Sequence, residues 1–430
     1  MRQPVVSYFR SRSLNRSLTS STSLSSITSL STSFRTCIFH HQPYSPSSNT
    51  YKRLSFSTLI TSAPTSTSDK LNTDNHNHSS PHTNTNTIIQ PSSLNFLQQP
   101  YTVSCIGAPL NWGQTHQGTD KAPSLLRKSG LYTIIKDIDT DNPWLIEDEG
   151  DLPFHTLNTI PNTIDNNNTD SEIYNQHHLH NANLVGQANE LLYRQVYKKT
   201  LEKKFVLTLG GDHSIALGSI AGLLHAYSSS LRIIWVDAHA DINLPETSPS
   251  GNIHGMPLAF LFQYINITSS PLYKHYQWLK NIPPLQPSQL VYIGLRDLDK
   301  GEKKIIKDKK LRAYTMYDID KYGIGKIIEM SFDYLYSTKT PGNHSTNILP
   351  LHISFDIDAI DPSITPATGT RVPGGLSLRE AHYICEASAE TGNLVSMDCV
   401  EVNPLLSSNP TSTVDTAIQL IGSALGKRIL

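Results

Sequence analysis

The stretch KFVLTLGGDHSIALGSIAGLLHAYSSSLRIIWVDAHAD, residues 204–241, decides the fold class. Two short apolar runs rich in Val, Ile and Leu flank a segment with helical spacing, which predicts a strand, a helix and a second strand. Each apolar run ends in a turn that contains Asp and His. Nearly continuous apolar strands that alternate with helices are typical of a parallel sheet covered by helices on both faces.

The same plan continues on both sides of this stretch. Further strands are predicted in TVSCIGAP (102–109), LVYIGLRDLD (290–299), LHISFDIDAIDP (351–362) and NLVSMDCVEVNP (393–404). Segments with helical spacing, such as SLREAHYICEASAETG (377–392), lie between them. We therefore expect a single α/β catalytic domain over residues 99–430. Ligands of such sheets bind at the carboxyl ends of the strands, where this sequence concentrates its acids and histidines.

Three irregular segments, at 157–183, 264–288 and 337–347, are predicted to be loop insertions in this domain. The first is rich in Asn and contains His177, His178 and His180. A His tract can bind a metal ion, but among so many Asn residues it is better interpreted as a solvated loop. These three histidines are therefore left out of the predicted site.

Residues 1–98 have a different composition and are predicted to be a disordered leader. The leader has many Ser and Thr residues, five Arg by position 35, and no acid before Asp69. This is the composition of a mitochondrial transit peptide, which favours the mitochondrial matrix as location. A leader without targeting function, and a cytoplasmic location, is the alternative. Residues 63–98 are a polar linker with too little apolar surface to fold.

The overall charge hides this division of the chain. The protein has 35 basic and 36 acidic residues, but residues 1–100 carry a net charge of +6 and the other 330 residues −7. The acidic body argues against a nucleic-acid surface, which needs clustered Lys and Arg. No run approaches the roughly 20 apolar residues of a membrane span. The cysteines are far apart in sequence, which indicates reduced thiols without a disulfide framework or zinc site: Cys37, Cys105, Cys385 and Cys399.

Three clusters of acids and histidines follow three predicted strands. In WVDAHAD the residues Asp237, His239 and Asp241 alternate and so point to one side of an extended segment. Asp356 and Asp358 repeat the spacing after another strand, and LGGDHS places Asp212 and His213 after a third. One such residue is more often a cap or a turn residue than a ligand, but three clusters at one sheet edge are harder to attribute to chance.

These carboxylates have no Lys or Arg in their motifs, so mutual repulsion requires a cation to compensate them. Four aspartates and two histidines suit two divalent ions, because four negative ligand charges balance four positive ones. Ligands rich in oxygen, with some imidazole and no thiolate, favour manganese over zinc. Two such ions can share a bridging water and lower its pKa towards neutrality, which produces hydroxide.

The motifs GGDHS, DAHADIN, SGNIHGMP, SFDIDAIDPSITPATGT and EVNP resemble the motif set of the arginase and ureohydrolase family, in the family's order. The resemblance covers residues 101–430. It implies a three-layer α/β/α fold with a mostly parallel central sheet, two Mn²⁺ per subunit, and a homotrimer or homohexamer. Carried over by position, the implied metal ligands are His213, Asp237, His239, Asp241, Asp356 and Asp358.

The arginase branch resembled by SGNIHG and EVNP hydrolyses L-arginine to L-ornithine and urea. The resemblance supplies Asn243 and Ser250 for the α-carboxylate of the substrate, and Asp299 and, more weakly, Glu302 for its α-ammonium group. The ordinary interpretations are a polar loop for the first pair and a helix cap for Asp299. Agmatine has no α-carboxylate, so an agmatine site would not need these residues.

Three residues are expected to act in catalysis in such a site. Glu401 could pair with the planar guanidinium and hold its carbon over the metal-bound hydroxide. His254 is the expected proton shuttle to the leaving amine, and Asp241 belongs to the catalytic set as well as to the ligands. Thr370 would hydrogen-bond the substrate or the shuttle. The alternatives are an agmatinase-like or other guanidino ureohydrolase, and a catalytically silent regulatory homologue.

Overall fold

The computed structural model describes residues 94–139, 143–159, 179–268, 271–337 and 348–428. Eight strands in this part of the chain form one sheet in the order β2-β1-β3-β8-β7-β4-β5-β6, and all neighbouring strands are parallel. The strands are β1 (Thr102–Ala108), β2 (Leu145–Asp151), β3 (Phe205–Gly210), β4 (Arg232–Val236), β5 (Leu290–Leu295), β6 (Arg312–Thr315), β7 (Leu351–Asp356) and β8 (Leu394–Val400).

The α-helices of the described residues lie between these strands and after the last one. They are α1 (Ala122–Lys128), α2 (Leu131–Lys136), α3 (Ala182–Leu201), α4 (Ala216–Tyr227), α5 (Pro257–Leu261), α6 (Lys300–Lys309), α7 (Met316–Tyr322), α8 (Ile324–Tyr336), α9 (Leu378–Glu390) and α10 (Thr411–Ala424). Their ends follow local chemistry: α9 begins after Ser377, whose hydroxyl accepts the Glu380 N–H while the Glu380 carboxylate accepts the Ser377 N–H. None of them is long and apolar enough to cross a membrane.

Strand β4 shows why the domain has three layers. Its side chains alternate, and Ile233 and Trp235 join an apolar core with helices α3 and α4, whereas Ile234 and Val236 join a second core on the opposite face with α9 and α10. Both faces of the sheet are therefore buried under helices. The predicted three-layer α/β/α fold with a parallel sheet is confirmed.

The predicted insertions differ in how far the structure describes them. Residues 160–178 of the first insertion, with His177 and His178, and residues 338–347 of the third lie outside the described residues. His180 is exposed, and its N–H donates to Gly251 O. The second insertion contains a 3₁₀ helix, Pro271–Asn281. Its Tyr276 is fully buried, stacks on Phe260 and donates its hydroxyl to Ala182 O over 2.8 Å.

Most of the predicted leader, residues 1–93, lies outside the described residues. Its last residues, 94–98, are described and contact the domain. The Asn95 N–H donates to Gly392 O over 2.9 Å, and the Gln98 N–H donates to Lys203 O over 3.0 Å. Leu94 and Leu97 pack against the apolar core. The folded part of the chain therefore includes residues that the composition alone assigns to the linker.

Candidate metal centre and substrate site

All six residues predicted as metal ligands meet at the carboxyl edge of the sheet. His213 follows β3, Asp237 follows β4, and Asp356 ends β7. Because β3 and β4 are separated by β8 and β7, these ligands come from strands near the middle of the sheet. The parallel arrangement therefore brings residues more than a hundred positions apart in sequence to one place.

The first group of ligand atoms surrounds the imidazole of His213. Its Nδ1 lies 3.0 Å from Asp237 Oδ2, 3.0 Å from Asp241 Oδ2 and 3.1 Å from Asp356 Oδ2. Within the described residues this buried nitrogen has no hydrogen-bond partner of acceptable geometry, although three carboxylate oxygens face it. The imidazole nitrogen and the three carboxylates converge on one point without hydrogen bonds between them. This is the arrangement expected of the ligands of a cation.

The second group surrounds His239 and shares Asp237 with the first. His239 Nδ1 lies 3.3 Å from Asp237 Oδ1 and 3.1 Å from Asp358 Oδ2. The two oxygens of Asp237 therefore face different groups, Oδ2 towards His213 and Oδ1 towards His239. Asp237 is therefore common to both candidate ligand groups, which the sequence left open.

Burial makes these carboxylates costly without a cation. Asp237, Asp241, Asp356 and Asp358 are all at least nine-tenths buried, and no described Lys or Arg forms an ion pair with them. Burial and the neighbouring Asp358 raise the pKa of Asp356 well above its usual value, and burial and Asp237 raise the pKa of Asp241 to about 6. Burial disfavours a charged His213, but the surrounding carboxylates outweigh it and raise the pKa of this imidazole. The donor set therefore fits two divalent cations.

The backbone after each strand orients the ligands. Asp237 Oδ1 accepts the N–H of His239 over 2.7 Å, and Asp356 Oδ1 accepts the N–H of Asp358 over 2.7 Å. The same aspartate turn therefore follows both strands and points alternate side chains to the same place. Asp241 has a φ of 48°, a left-handed conformation that Asp tolerates better than most residues, and such conformations are frequent at functional sites.

Glu401 and His254 lie together beside the ligands. His254 Nδ1 is 3.1 Å from Glu401 Oε1, which also accepts the His213 N–H over 2.8 Å. Glu401 Oε2 accepts a hydrogen bond from Gln114 Nε2 over 2.7 Å. Burial lowers the pKa of His254, but the Glu401 carboxylate outweighs burial and raises it to about 9. His254 is therefore positioned as a protonated imidazole held by Glu401.

Two of the predicted α-amino-acid contacts are joined. Asn243 Nδ2 donates to Asp299 Oδ2 over 2.8 Å, and both residues border the loop that carries Asp241. Asp299 also precedes α6 at its N-cap position, as the ordinary interpretation expected.

The other predicted contacts have different surroundings. Glu302 is buried, and its two oxygens accept the backbone N–H groups of Ile242 and Asp299 over 3.3 Å and 3.0 Å. Glu302 therefore holds the backbone next to Asp241 in place. Ser250 is exposed, and its Oγ accepts the Asn252 N–H over 3.2 Å. Thr370 is exposed and follows Gly369, which borders Glu401.

The structure adds residues that the motif analysis missed. Ser354 Oγ lies 3.0 Å from His213 Nε2, and Trp235 Nε1 donates to Asp237 Oδ2 over 2.9 Å. Each stands two positions before a ligand on the same strand, so the alternation of side chains was a signal that could have found them. Gln114 gave no such signal because it lies in an irregular loop after β1. Residues behind metal ligands usually fix the orientation of the ligating side chain, and Ser354 is placed to do this for the His213 ring.

Comparisons with known proteins agree with this geometry. The sequence model of the Arginase family matches residues 101–426. The arginase of Emericella nidulans is 40% identical over 350 residues, which cover 80% of this chain and 100% of that relative.

Solved structures agree as well. The arginase of Bacillus caldovelox has a TM-score of 0.64 at 37% identity and covers 77% of this chain and 100% of its own. The arginase of Entamoeba histolytica, solved in complex with L-ornithine, has a TM-score of 0.60 at 29% identity, with 76% of this chain and 98% of its own covered.

Proposed function

Because the chain belongs to the arginase family, we propose that it hydrolyses L-arginine to L-ornithine and urea. The observation that carries the proposal is the pair of ligand groups that share Asp237, with the Glu401 and His254 pair beside them. The chain is a hydrolase of C–N bonds in linear amidines, as its relatives are. The choice of L-arginine depends on the contacts to the far end of the substrate.

Two Mn²⁺ ions per subunit are the proposed cofactors. The first would be held by His213, Asp237, Asp241 and Asp356, and the second by Asp237, His239 and Asp358, with further ligation shared between them. Oxygen-rich ligation without thiolate supports manganese over zinc. Bound there, two divalent ions lower the pKa of water towards neutrality and stabilise negative charge that develops on the substrate.

Glu401 is proposed to orient the guanidinium. Its Oε1 already faces His213 and His254, whereas Oε2 faces only Gln114 among the described polar groups, so Oε2 has the capacity to accept a guanidinium N–H. This is one charge-assisted hydrogen bond in place of the parallel pair expected from the sequence.

His254 is proposed to protonate the leaving amine. Because its Nδ1 faces Glu401, Nε2 is the atom that would transfer the proton. The raised pKa keeps the imidazole protonated at neutral pH, which a general acid requires. Thr370 is proposed to hydrogen-bond the substrate or the shuttle from the rim of the site.

The experiment that tests the function compares urea release from L-arginine and from agmatine by the full-length chain loaded with Mn²⁺. We expect strong preference for L-arginine, because Asn243, Ser250 and Asp299 are available for its α-carboxylate and α-ammonium groups. Preference for agmatine would support an agmatinase-like enzyme and remove the α-amino-acid contacts. No urea from either compound would support another guanidino substrate or a silent regulatory homologue.

The Asp299→Ala variant tests the α-ammonium contact separately. The KM for L-arginine should rise while the metal content stays that of the wild type. An unchanged KM would place the α-ammonium contact elsewhere.

The location and the assembly are further parts of the proposal. The Arg-rich, acid-poor leader supports the mitochondrial matrix. A fluorescent protein fused to residues 1–98 should enter mitochondria, and a cytoplasmic signal would contradict this location. The family supports a homotrimer or homohexamer, and light scattering of the purified chain would distinguish these from a monomer.

A further inference from the structure

The side chain of Gln114 contains a buried hydrogen-bond acceptor that no described group uses. Gln114 is 3% exposed, and its Nε2 donates to Glu401 Oε2 over 2.7 Å. A carboxylate accepts hydrogen bonds and has no proton to donate at neutral pH, so the nitrogen of the amide must face Glu401. The oxygen Oε1 is then fixed on the other side, and within the described residues it has no partner. A buried acceptor without a donor is costly.

The space next to this oxygen is formed by a glycine. A Cβ added to Gly369 would lie 3.1 Å from Gln114 Oε1, 3.8 Å from His116 Cδ2 and 3.9 Å from Glu401 Oε2. A side chain at this position would therefore fill the gap between the amide oxygen and the carboxylate. The bare glycine leaves room for a group that touches both.

The chemistry of this gap selects its occupant. An amide oxygen and a carboxylate oxygen both accept hydrogen bonds, and the carboxylate also carries a negative charge. The matching group is a flat cation with several N–H donors, which describes a guanidinium and does not describe the product L-ornithine.

We propose that Gln114 is a further substrate-binding residue, whose Oε1 accepts a hydrogen bond from a guanidinium N–H in the space that Gly369 leaves open. The proposal rests on the proposed function for the identity of the whole substrate, but the guanidinium contact itself can be measured without turnover. Gln114 then has two contacts, because Nε2 orients Glu401 and Oε1 touches the substrate.

The test is the binding of methylguanidinium to the Mn²⁺-loaded full-length chain, measured by calorimetry for the wild type, Gln114→Met and Gly369→Ala. Methionine keeps the length of the side chain but removes the acceptor. Alanine leaves both functional groups of Gln114 in place but adds a methyl group 3.1 Å from Oε1, tighter than an ordinary contact, in the space proposed for the guanidinium. Both variants should weaken methylguanidinium binding by about tenfold or more, since a hydrogen bond to a charged group is lost or blocked.

L-Ornithine is the matched control ligand, because it shares the α-groups of L-arginine but has no guanidinium. Its dissociation constant should stay within about twofold in both variants. Normal methylguanidinium binding by Gly369→Ala would overturn the proposal, because Gln114 would then act only through Glu401. An equal loss of affinity for both ligands would also overturn the proposal, because it would indicate a general disturbance of the site.

The two proposals fail in different ways. If the wild type releases no urea from L-arginine while the variants still bind methylguanidinium more weakly than the wild type, the proposed function is wrong and the Gln114 contact stands. If the wild type hydrolyses L-arginine and the variants bind methylguanidinium normally, the function stands and the Gln114 contact is wrong. Should Gln114→Met fail to fold, Gly369→Ala decides alone, because the glycine has an ordinary backbone conformation.

Discussion

Two acidic clusters in the domain satisfy their charge in opposite ways. On the edge strand β2, Glu147 pairs with Lys204 over 2.6 Å, Glu149 pairs with Lys199, and Asp148 pairs with Arg127 over 3.1 Å. At the carboxyl edge of the sheet, the four aspartates of the metal centre face two histidines and no described Lys or Arg. Both clusters are dense in carboxylates, but of the two only the β2 cluster contains Lys and Arg.

The difference separates a structural cluster from a functional one. The β2 acids are partly exposed, and Lys204 lowers the pKa of Glu147. Burial raises the pKa of three of the four site acids, Asp356, Asp358 and Asp241, whereas the two histidines lower the pKa of the shared Asp237. A carboxylate whose pKa is held low is already compensated, whereas one whose pKa is raised by burial and by its neighbours still needs a cation.

The largest effect is expected from Asp237→Asn, which removes the carboxylate shared by both ligand groups. Urea release should fall by more than about 100-fold, since the loss of a shared ligand exceeds the typical effect of an outer partner. The variant should retain less Mn²⁺ after dialysis, measured by elemental analysis. Without metal it should melt no higher than the metal-free wild type, because His213 and His239 hold the pKa of Asp237 below its usual value and so stabilise its charged form in the fold.

The control for this variant is Asp297→Asn, an exposed aspartate two residues after β5. It changes the same kind of side chain outside both ligand groups, and activity and metal content should stay those of the wild type. An active, metal-loaded Asp237→Asn enzyme would contradict the role of Asp237 as a ligand common to both groups.

A smaller effect is expected from Ser354→Ala, which frees the ring of His213. The hydroxyl lies 3.0 Å from His213 Nε2 and keeps Nδ1 turned towards the aspartates. Mn²⁺ affinity should fall by about 10- to 100-fold. The matched control is Ser396→Ala, a buried serine 2.9 Å from Nδ1 of His352, which is not a ligand. Equal losses in both variants would mean that serine burial, and not the His213 contact, sets the affinity.

The sequence predicted the site better than it predicted its surroundings. Asp237, His239 and Asp241 could be found because alternation in an extended segment is a local rule, and parallel strands place their carboxyl ends together. Which oxygen of Asp237 faces which group depends on the positions of His213 and Asp358, more than twenty and more than a hundred residues away. A local sequence pattern carries no information about contacts between residues so far apart in the chain.

Two other features show the same limit. The resemblance supplied Glu302 as a weaker candidate for the α-ammonium contact, and the structure shows that its oxygens also accept the backbone N–H groups of Ile242 and Asp299. The composition of residues 94–98 is that of a linker, yet Asn95 and Gln98 hydrogen-bond residues 392 and 203. The contact of Glu302 with Ile242 and the contacts of residues 95 and 98 are tertiary, and composition and spacing do not encode them.

The β2 cluster should affect stability without affecting catalysis. Lys199 is 8% exposed and faces Glu147, Glu149 and Glu202. Lys199→Met removes the cation from three carboxylates, and the free energy of unfolding should fall by about 1–3 kcal/mol, less than for a fully buried pair because the acids are partly exposed. Urea denaturation measures this, with the exposed neighbour Lys198→Met as control. A loss of kcat in Lys199→Met would contradict the separation of the two clusters.

The smallest effect tests the pH dependence of the β2 cluster. Lys204 lowers the pKa of Glu147 and of Glu202 below the ordinary value of 4.5. A carboxylate with a lowered pKa in the folded state stabilises the fold above its unfolded pKa, and this stabilisation is lost as the pH falls through the folded value. Lys204→Gln should therefore lower the free energy of unfolding at pH 7 by at most about 1 kcal/mol, because the partly exposed pairs are screened by water. The difference from the wild type should shrink at pH 4. Both chains are compared without metal, so that release of metal at low pH does not affect the measured stability. A stability difference that grows on acidification would contradict the assignment of these glutamates as charged partners of Lys204.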